Sequence, residues 1–245
     1  MDQTPQLKIK GIPDIVLCVD ATASMGGCLE QLKAHLGTFI AELEKPREVQ
    51  PNVLTRVSDW RLRLLPFRDI LHNKVGMVND FPFCTTAAEF QRHLADPRSA
   101  AATEGSGGLE ESALDALYLA VRTSEWRPEK DAHRFVILFT DAATHPEMHP
   151  STAGSGPYDV GEVIQSIRTY KIKPILFAPK ASEYEAIYAA VRKDRGDIVT
   201  KFSLFPSRNE AVAFFAMNTD AARAHFAEVL NELAKTISQS SSEEL

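Results

Sequence analysis

The chain has 245 residues, of which 44% are hydrophobic and 24% charged, with a formal net charge of −6 and a pI of about 5.7. This acidic balance argues against a general nucleic-acid binder or an anionic-membrane binder. No uninterrupted apolar run approaches the roughly 20 residues that a membrane-spanning helix needs. We therefore expect a globular α/β protein with neither a nucleic-acid partner nor a membrane partner.

The N-terminus and the cysteines favour a cytoplasmic location. Residues 1–5 lack the basic and apolar regions of a signal peptide. The cysteines Cys18, Cys28 and Cys84 are odd in number, and Cys18 lies inside an apolar run. Reduced thiols fit this pattern better than a disulfide framework does. Prior removal of a signal peptide is the alternative.

Six segments along the chain have the composition of strands. Residues 14–19 and 135–139 are almost wholly apolar, which indicates strands buried on both faces of a parallel sheet. Four further strands are predicted at 60–67, 75–78, 172–178 and 196–202. The segments 60–67 and 75–78 are expected to join as a hairpin at one edge of the sheet.

Apolar residues recur at helical spacing between these strands. One helix is predicted around Phe90 and Leu94, after a cap at Thr85 or Thr86. The others are predicted at about 29–43, 114–121, 160–170, 184–191, 208–217 and 219–237. The polar segment 45–59 is interpreted as a connection.

The alternation of strands and helices predicts one doubly wound α/β domain. We expect a mostly parallel six-stranded sheet with helices on both faces and one antiparallel edge strand. The domain is predicted to span 14–237. A short lead at 1–13 would precede it, and a disordered polar tail at 238–245 would follow it.

Three oxygen-bearing side chains follow the first predicted strand. Asp20 ends that strand, and Thr22 and Ser24 follow at alternate positions just before a helix. Ligands of open α/β sheets bind at the carboxyl ends of the strands. One carboxylate and two hydroxyls are hard donors, which suit Mg²⁺ or Mn²⁺ better than zinc. An ordinary helix N-cap made by Thr22 or Ser24 is the alternative.

The segment from Asp20 to Gly26 resembles the first loop of the von Willebrand factor type A family, particularly its cytoplasmic bacterial members. The metal-ion-dependent adhesion site of that family begins Asp-x-Ser/Thr-x-Ser. The resemblance implies that Thr22 and Ser24 bind the metal through their hydroxyls. It also implies that Asp20 and Asp141, which follow the two apolar strands, hold the metal's waters. A capping role is the alternative for Asp141.

The middle loop departs from the family pattern. Many relatives carry Thr or Asp after a Gly-Gly pair, whereas Glu110, Glu111 and Ser112 follow here. These three residues, or Ser106, are candidates to complete the site. Alternatively, the two glutamates only favour the start of the following helix. Asp69 lies in a Phe-Arg-Asp segment like that of bacterial relatives, and it could bond a metal water or pair with its neighbouring arginine.

A second metal site is conceivable in the loop that follows Asp141. His145, Glu147 and His149 lie within five residues of one another, as zinc ligands sometimes do. Two prolines in the same segment oppose the helix that would place both histidines on one face. We therefore expect this loop to shape the rim of the metal edge.

The resemblance implies a binding module and not an enzyme. Such a module uses Mg²⁺ or Mn²⁺ to capture an Asp or Glu carboxylate of a partner protein. A phosphatase of the haloacid-dehalogenase type, with Asp20 as nucleophile, is an alternative from another class. Thr22 occupies the position of that family's acid and cannot act as one. A metal-free scaffold with the same fold is the third hypothesis.

Overall fold

The computed structural model describes residues 6–50, 53–73, 76–101, 109–156, 158–195 and 204–241. Its strands are β1 (Gln6–Gly11), β2 (Pro13–Asp20), β3 (Arg47–Gln50), β4 (Val53–Val57), β5 (Arg61–Phe67), β6 (Glu110–Glu111), β7 (His133–Phe139), β8 (Ala143–Thr144) and β9 (Ile172–Phe177). Its α-helices are α1 (Gly26–Glu44), α2 (Ala87–Ala95), α3 (Ala113–Thr123), α4 (Pro150–Ala153), α5 (Val160–Thr169), α6 (Ser182–Arg195), α7 (Arg208–Phe215) and α8 (Asp220–Ser240).

The centre of the fold is a parallel sheet in the order β5-β2-β7-β9. Strand β2 lies between two neighbours, and its Leu17 is opposite Leu64 of β5 and Ile137 of β7. The predicted parallel sheet around the two apolar strands is therefore confirmed. The predicted count of six strands is wrong, because four strands form this sheet in the part of the chain that the structure describes.

The expected antiparallel edge strand is reduced to a single bridge. Met77 bridges Phe67, and the Val78 amide donates to the Pro66 carbonyl at 2.9 Å. The nitrogen of Pro66 lies on the same side as its carbonyl and carries no hydrogen, so a regular ladder cannot continue along this edge. The strand predicted at 196–202 lies outside the described residues.

Helices cover both faces of the sheet, as predicted. Ile15, Leu17 and Val19 of β2 belong to the core cluster that contains the buried faces of α1, α2 and α8. Val16 and Cys18 belong to the opposite cluster, with the buried faces of α3, α5 and α6. Because successive side chains of a strand point to opposite faces, one apolar run supplies both cores.

A second, three-stranded sheet occupies sequence that was predicted to be irregular. Its order is β1-β4-β3, with β1 parallel and β3 antiparallel to β4. The prediction of a connection over 45–59 is therefore wrong, and β1 lies within the segment predicted to be a lead. These strands are short, and β1 pairs with β4, which is distant from it in sequence.

The C-terminal helix continues further than its apolar periodicity indicates. Helix α8 ends at Ser240, and Ser238, Ser240 and Ser241 are buried. The ammonium of Lys173 donates to the carbonyl and the hydroxyl of Ser240, at 3.1 and 2.6 Å. The structure therefore differs from a disordered tail over 238–241.

Within the described ranges, none of the helices has the length and apolarity that a membrane crossing requires.

Candidate functional site

The chain changes direction in the sheet between β2 and β7. From β2 the chain enters α1 on one face, and from β7 it continues to α5 on the other face. Such a divergence leaves a crevice at the carboxyl ends of the two strands. Asp20 is the last residue of β2, and Asp141 lies two residues beyond the end of β7. The structure thus brings both acidic residues to the same crevice.

Asp20 is held by hydroxyl and amide donors. Its Oδ1 accepts hydrogen bonds from the Thr22 amide at 2.9 Å and from the Thr22 hydroxyl at 2.6 Å. Its Oδ2 accepts from the hydroxyl of Thr140, at the end of β7, at 2.8 Å. The Oγ of Ser24 lies 3.4 Å from the Oγ1 of Thr22. We call Asp20, Thr22, Ser24 and Asp141 the Asp20 cluster.

The N-cap alternative for the two hydroxyls is wrong. A short 3₁₀ helix, Ala23–Met25, separates Thr22 from α1. Thr22 occupies the N-cap position of this short helix, but its side chain makes no capping hydrogen bond. The N-cap of α1 is Met25, which offers no side-chain oxygen. The hydroxyl of Thr22 instead bonds the carboxylate of Asp20.

Burial makes the negative charge of Asp20 costly. Loss of hydration raises the pKa of Asp20 to about 6, and the nearby charge of Asp141 adds to this effect, although the bonds from Thr22 and Thr140 oppose it. The pKa of the Cys28 thiol is raised by its burial and then by the charges of Asp20 and Asp141. The crevice is thus a buried site of negative potential.

Asp141 contributes a buried oxygen that has no partner among the described residues. The residue is 1% exposed, and its Oδ2 makes no hydrogen bond with the described residues. Buried carboxylate oxygens are normally paired, so this atom is a candidate contact for an ion or a water. The nearby guanidinium of Arg68 donates to backbone carbonyls, including that of Ala21 at 3.1 Å.

The loop before α3 reaches the crevice from another side. Its residue Glu111 is 3% exposed and pairs with Thr144 through the parallel β6–β8 ladder. Tyr184 is buried in the same region of the molecule. Its burial, and then the charges of Asp20, Glu183 and Glu111, raise the pKa of its hydroxyl well above the usual value. The hydroxyl of Ser112 accepts a hydrogen bond from the Ile70 amide at 2.9 Å, which ties this loop to the loop after β5.

The other two predicted carboxylates form a separate group. The imidazole of His145 lies 3.0 Å from Asp69 through Nε2 and 3.3 Å from Glu110 through Nδ1. The Nδ1 of His72 also contacts Asp69. Burial raises the pKa of Asp69, but the bonds from His72, the Leu71 amide and His145 outweigh it and lower the pKa. We call Asp69, His72, Glu110 and His145 the Asp69 cluster.

The zinc site considered for the loop after Asp141 is not formed by the described residues. His149 accepts the Ser151 amide at the start of α4, while His145 belongs to the Asp69 cluster. Across the described ranges, no group of three or more His, Cys, Asp or Glu side chains is arranged to hold a metal ion. Any metal here therefore depends on hydroxyl oxygens as well as carboxylates.

The donor set of the Asp20 cluster fits a small hard cation. Adjacent ligands of an octahedral Mg²⁺, with bonds of 2.0–2.1 Å, lie about 3 Å apart. The hydroxyl oxygens of Thr22 and Ser24 are 3.4 Å apart, and Ser24 is exposed. Asp141 brings to the same crevice a buried oxygen that has no partner among the described residues. Sequence reasoning missed Thr140, although its position opposite Asp20 follows from the β2–β7 register.

These features define a class of molecule: an α/β protein with an acidic, hydroxyl-lined crevice at its topological switch point. No protein-family model and no curated protein matches the chain. The chain is similar in fold to proximal thread matrix protein 1 (PTMP1) from the mussel byssus, with a TM-score of 0.51 at 13% identity, over 94% of this chain and 48% of that one. At this identity the likeness shows a shared α/β fold and nothing beyond the fold.

A second structure is similar at a lower level. The pilus adhesin SpaC from Lactobacillus rhamnosus GG, in its open conformation, has a TM-score of 0.45 at 12% identity, over 94% of this chain and 31% of that one. This likeness is too weak to support an inference. The chain spans about half of the length of PTMP1 and about a third of that of SpaC.

Proposed function

We propose that this chain is a divalent-metal-dependent protein-binding module of the type A family, and that it resembles the cytoplasmic bacterial members of that family. The Asp20 cluster would hold Mg²⁺ or Mn²⁺, and the partner would offer an Asp or Glu carboxylate. The observation that carries the proposal is the buried Oδ2 of Asp141, which has no partner among the described residues, at the switch point that also holds the hydroxyls of Thr22 and Ser24.

The residues of the cluster have separable roles in this proposal. Asp20 accepts the hydroxyl hydrogen of Thr22, which leaves an oxygen lone pair of Thr22 for the cation. Ser24 adds a second neutral oxygen at the exposed side of the crevice. The carboxylates of Asp20 and Asp141 would balance the positive charge of the cation. A divalent ion bound largely by neutral oxygens would supply a strongly positive centre that attracts a carboxylate from outside.

Metal binding should be visible as thermal stabilisation. A ligand present at 100 times its Kd stabilises a fold by about 2.7 kcal/mol, which for a chain of this size corresponds to a rise in Tm of about 5 to 10 °C. We expect this rise with Mg²⁺ or Mn²⁺ and its loss in the Thr22→Ala, Ser24→Ala double variant. The matched control is Ser58→Ala, Thr123→Ala, which removes two hydroxyls near the opposite edge of the sheet and should keep the rise.

The metal-free scaffold is a second candidate, favoured by one observation. Both carboxylate oxygens of Asp20 already have protein donors, so this residue is satisfied without a cation. Absence of a metal-dependent rise in the wild-type Tm would overturn the binding proposal in favour of the scaffold. Turnover of an aryl phosphate that is lost in Asp20→Asn would overturn it in favour of the phosphatase.

A further inference from the structure

The described residues expose only two large apolar side chains. Leu71 is 60% exposed and Leu109 is 68% exposed. Leu71 follows β5, and Leu109 immediately precedes β6, so both lie at the carboxyl edge of the sheet. Isolated exposed leucines are unremarkable, but their restriction to the edge that carries the Asp20 cluster is informative.

The Asp69 cluster holds the loops of these two leucines together. The Leu71 amide donates to Asp69 Oδ1 at 2.8 Å, and the same oxygen contacts His145. The other nitrogen of His145 contacts Glu110, the neighbour of Leu109 in the chain. A second link joins Ile70 to Ser112. One imidazole ring therefore lies between the carboxylates next to the two leucines.

The same loops border the Asp20 cluster. The Ala21 amide donates to the Phe67 carbonyl at 2.7 Å, which fixes the loop after β5 beside Thr22. Strand β6 pairs with β8, which begins two residues after Asp141. The leucines therefore lie on two loops that neighbour the loops of the Asp20 cluster.

We propose that Leu71 and Leu109 form an apolar rim that binds a partner segment in which an apolar residue lies close to the acidic residue captured by the metal. This inference rests on the proposed function and names the class of partner. The occupant is an extended acidic–apolar peptide segment. A second copy of the chain fits less well, because two leucines fall far short of the roughly 800 Å² that each partner buries in a stable dimer.

The test uses a phage-displayed library of random 12-residue peptides, selected on the full chain in Mg²⁺ and released with a chelator. We expect the released peptides to carry Asp or Glu within three residues of Leu, Ile, Met or Phe. Burial of two leucines predicts that Leu71→Ser, Leu109→Ser weakens the binding of a selected peptide by about 10- to 100-fold. Both leucines are exposed, so this variant should keep its fold and its Mg²⁺-dependent rise in Tm.

Glu129→Ser, Lys130→Ser is the matched control. It shortens two exposed side chains before β7, at the opposite edge, without changing net charge, and it should bind like wild type. Acidic peptides without apolar neighbours, or unchanged binding by the leucine variant, would overturn the rim. Concentration-dependent dimerisation that the leucine variant abolishes would overturn the peptide as occupant.

Failure of the rim and failure of the proposed function are distinguishable. If Mg²⁺ raises the Tm and peptides bind, but the leucines do not matter, only the rim falls. If Mg²⁺ neither raises the Tm nor supports peptide binding, the result overturns both the proposed metal site and the proposed apolar rim.

Discussion

Strand β2 carries a buried carboxylate at each end, and the two have opposite environments. Asp14 accepts hydrogen bonds from Arg61 Nε at 2.9 Å and from Arg127 Nε at 2.7 Å. Burial raises its pKa, but these bonds outweigh burial and hold the pKa below its usual range. Asp20 has hydroxyl and amide donors, and its pKa rises to about 6. Asp14 is thus neutralised by the protein itself, whereas Asp20 lies where a cation would be stabilising.

The Asp20→Asn variant tests this difference at a single residue. Without metal at pH 7.5, we expect the variant to be more stable than wild type, because it removes a buried charge that Asp141 repels. A pKa raised from 3.8 to about 6 corresponds to an upper limit of about 3 kcal/mol in the free energy of unfolding. Urea denaturation in the presence of a chelator measures the change.

The control is Asp14→Asn on the same strand. It leaves two arginines facing a neutral group at a buried position, so we expect it to lower the free energy of unfolding. A destabilised Asp20→Asn variant would contradict the account of Asp20.

At the scale of elements, the last turn of α8 is predicted to be part of the domain. Deletion of residues 238–245 removes the Ser240 acceptors of Lys173 and the buried residues Ser238 and Ser241. We expect it to lower the free energy of unfolding by about 1 to 2 kcal/mol, since the half-buried ammonium of Lys173 loses these two acceptors. Thermal or urea denaturation measures this change.

A deletion that starts at residue 242 keeps all of these contacts and serves as the control. Equal stability of the two truncated chains would show that the turn contributes nothing, which would restore the disordered tail predicted from its polar sequence.

At the scale of the whole molecule, the carboxylates predict a maximum of stability in mildly acid solution without metal. Between about pH 4 and 6 the folded chain keeps a proton on Asp20 that the unfolded chain has lost, so stability falls as pH rises. Asp14 and Asp69 have lowered pKa values, so their contribution is lost as pH falls below about 4. The two effects together give the maximum.

Melting temperatures from pH 3 to 8, measured with a chelator and with Mg²⁺, check this profile. The decline above pH 4 should be smaller with Mg²⁺, because the cation favours ionised carboxylates, and it should be smaller in Asp20→Asn. A constant difference between wild type and Asp20→Asn across this range would contradict the raised pKa of Asp20.

Sequence patterns alone determined the centre of the fold. The apolar runs of β2 and β7 are legible because strands buried on both faces leave no polar positions. The helices were predicted from apolar residues that recur at helical spacing. Thr85 and Thr86 were the two predicted caps of α2, and Thr86 is the one that caps it. The spacing of Asp20, Thr22 and Ser24 placed these residues at the carboxyl edge of the sheet, because a parallel strand delivers its next residues there.

The tertiary structure decided what depends on distant neighbours. It paired β1 with β4, limited the edge at Pro66 to one bridge, and extended α8 through buried serines. It also separated the predicted acids into two groups. Which group a carboxylate joins depends on the donors that other strands and loops bring within hydrogen-bond distance, and the order of residues along the chain does not contain that information.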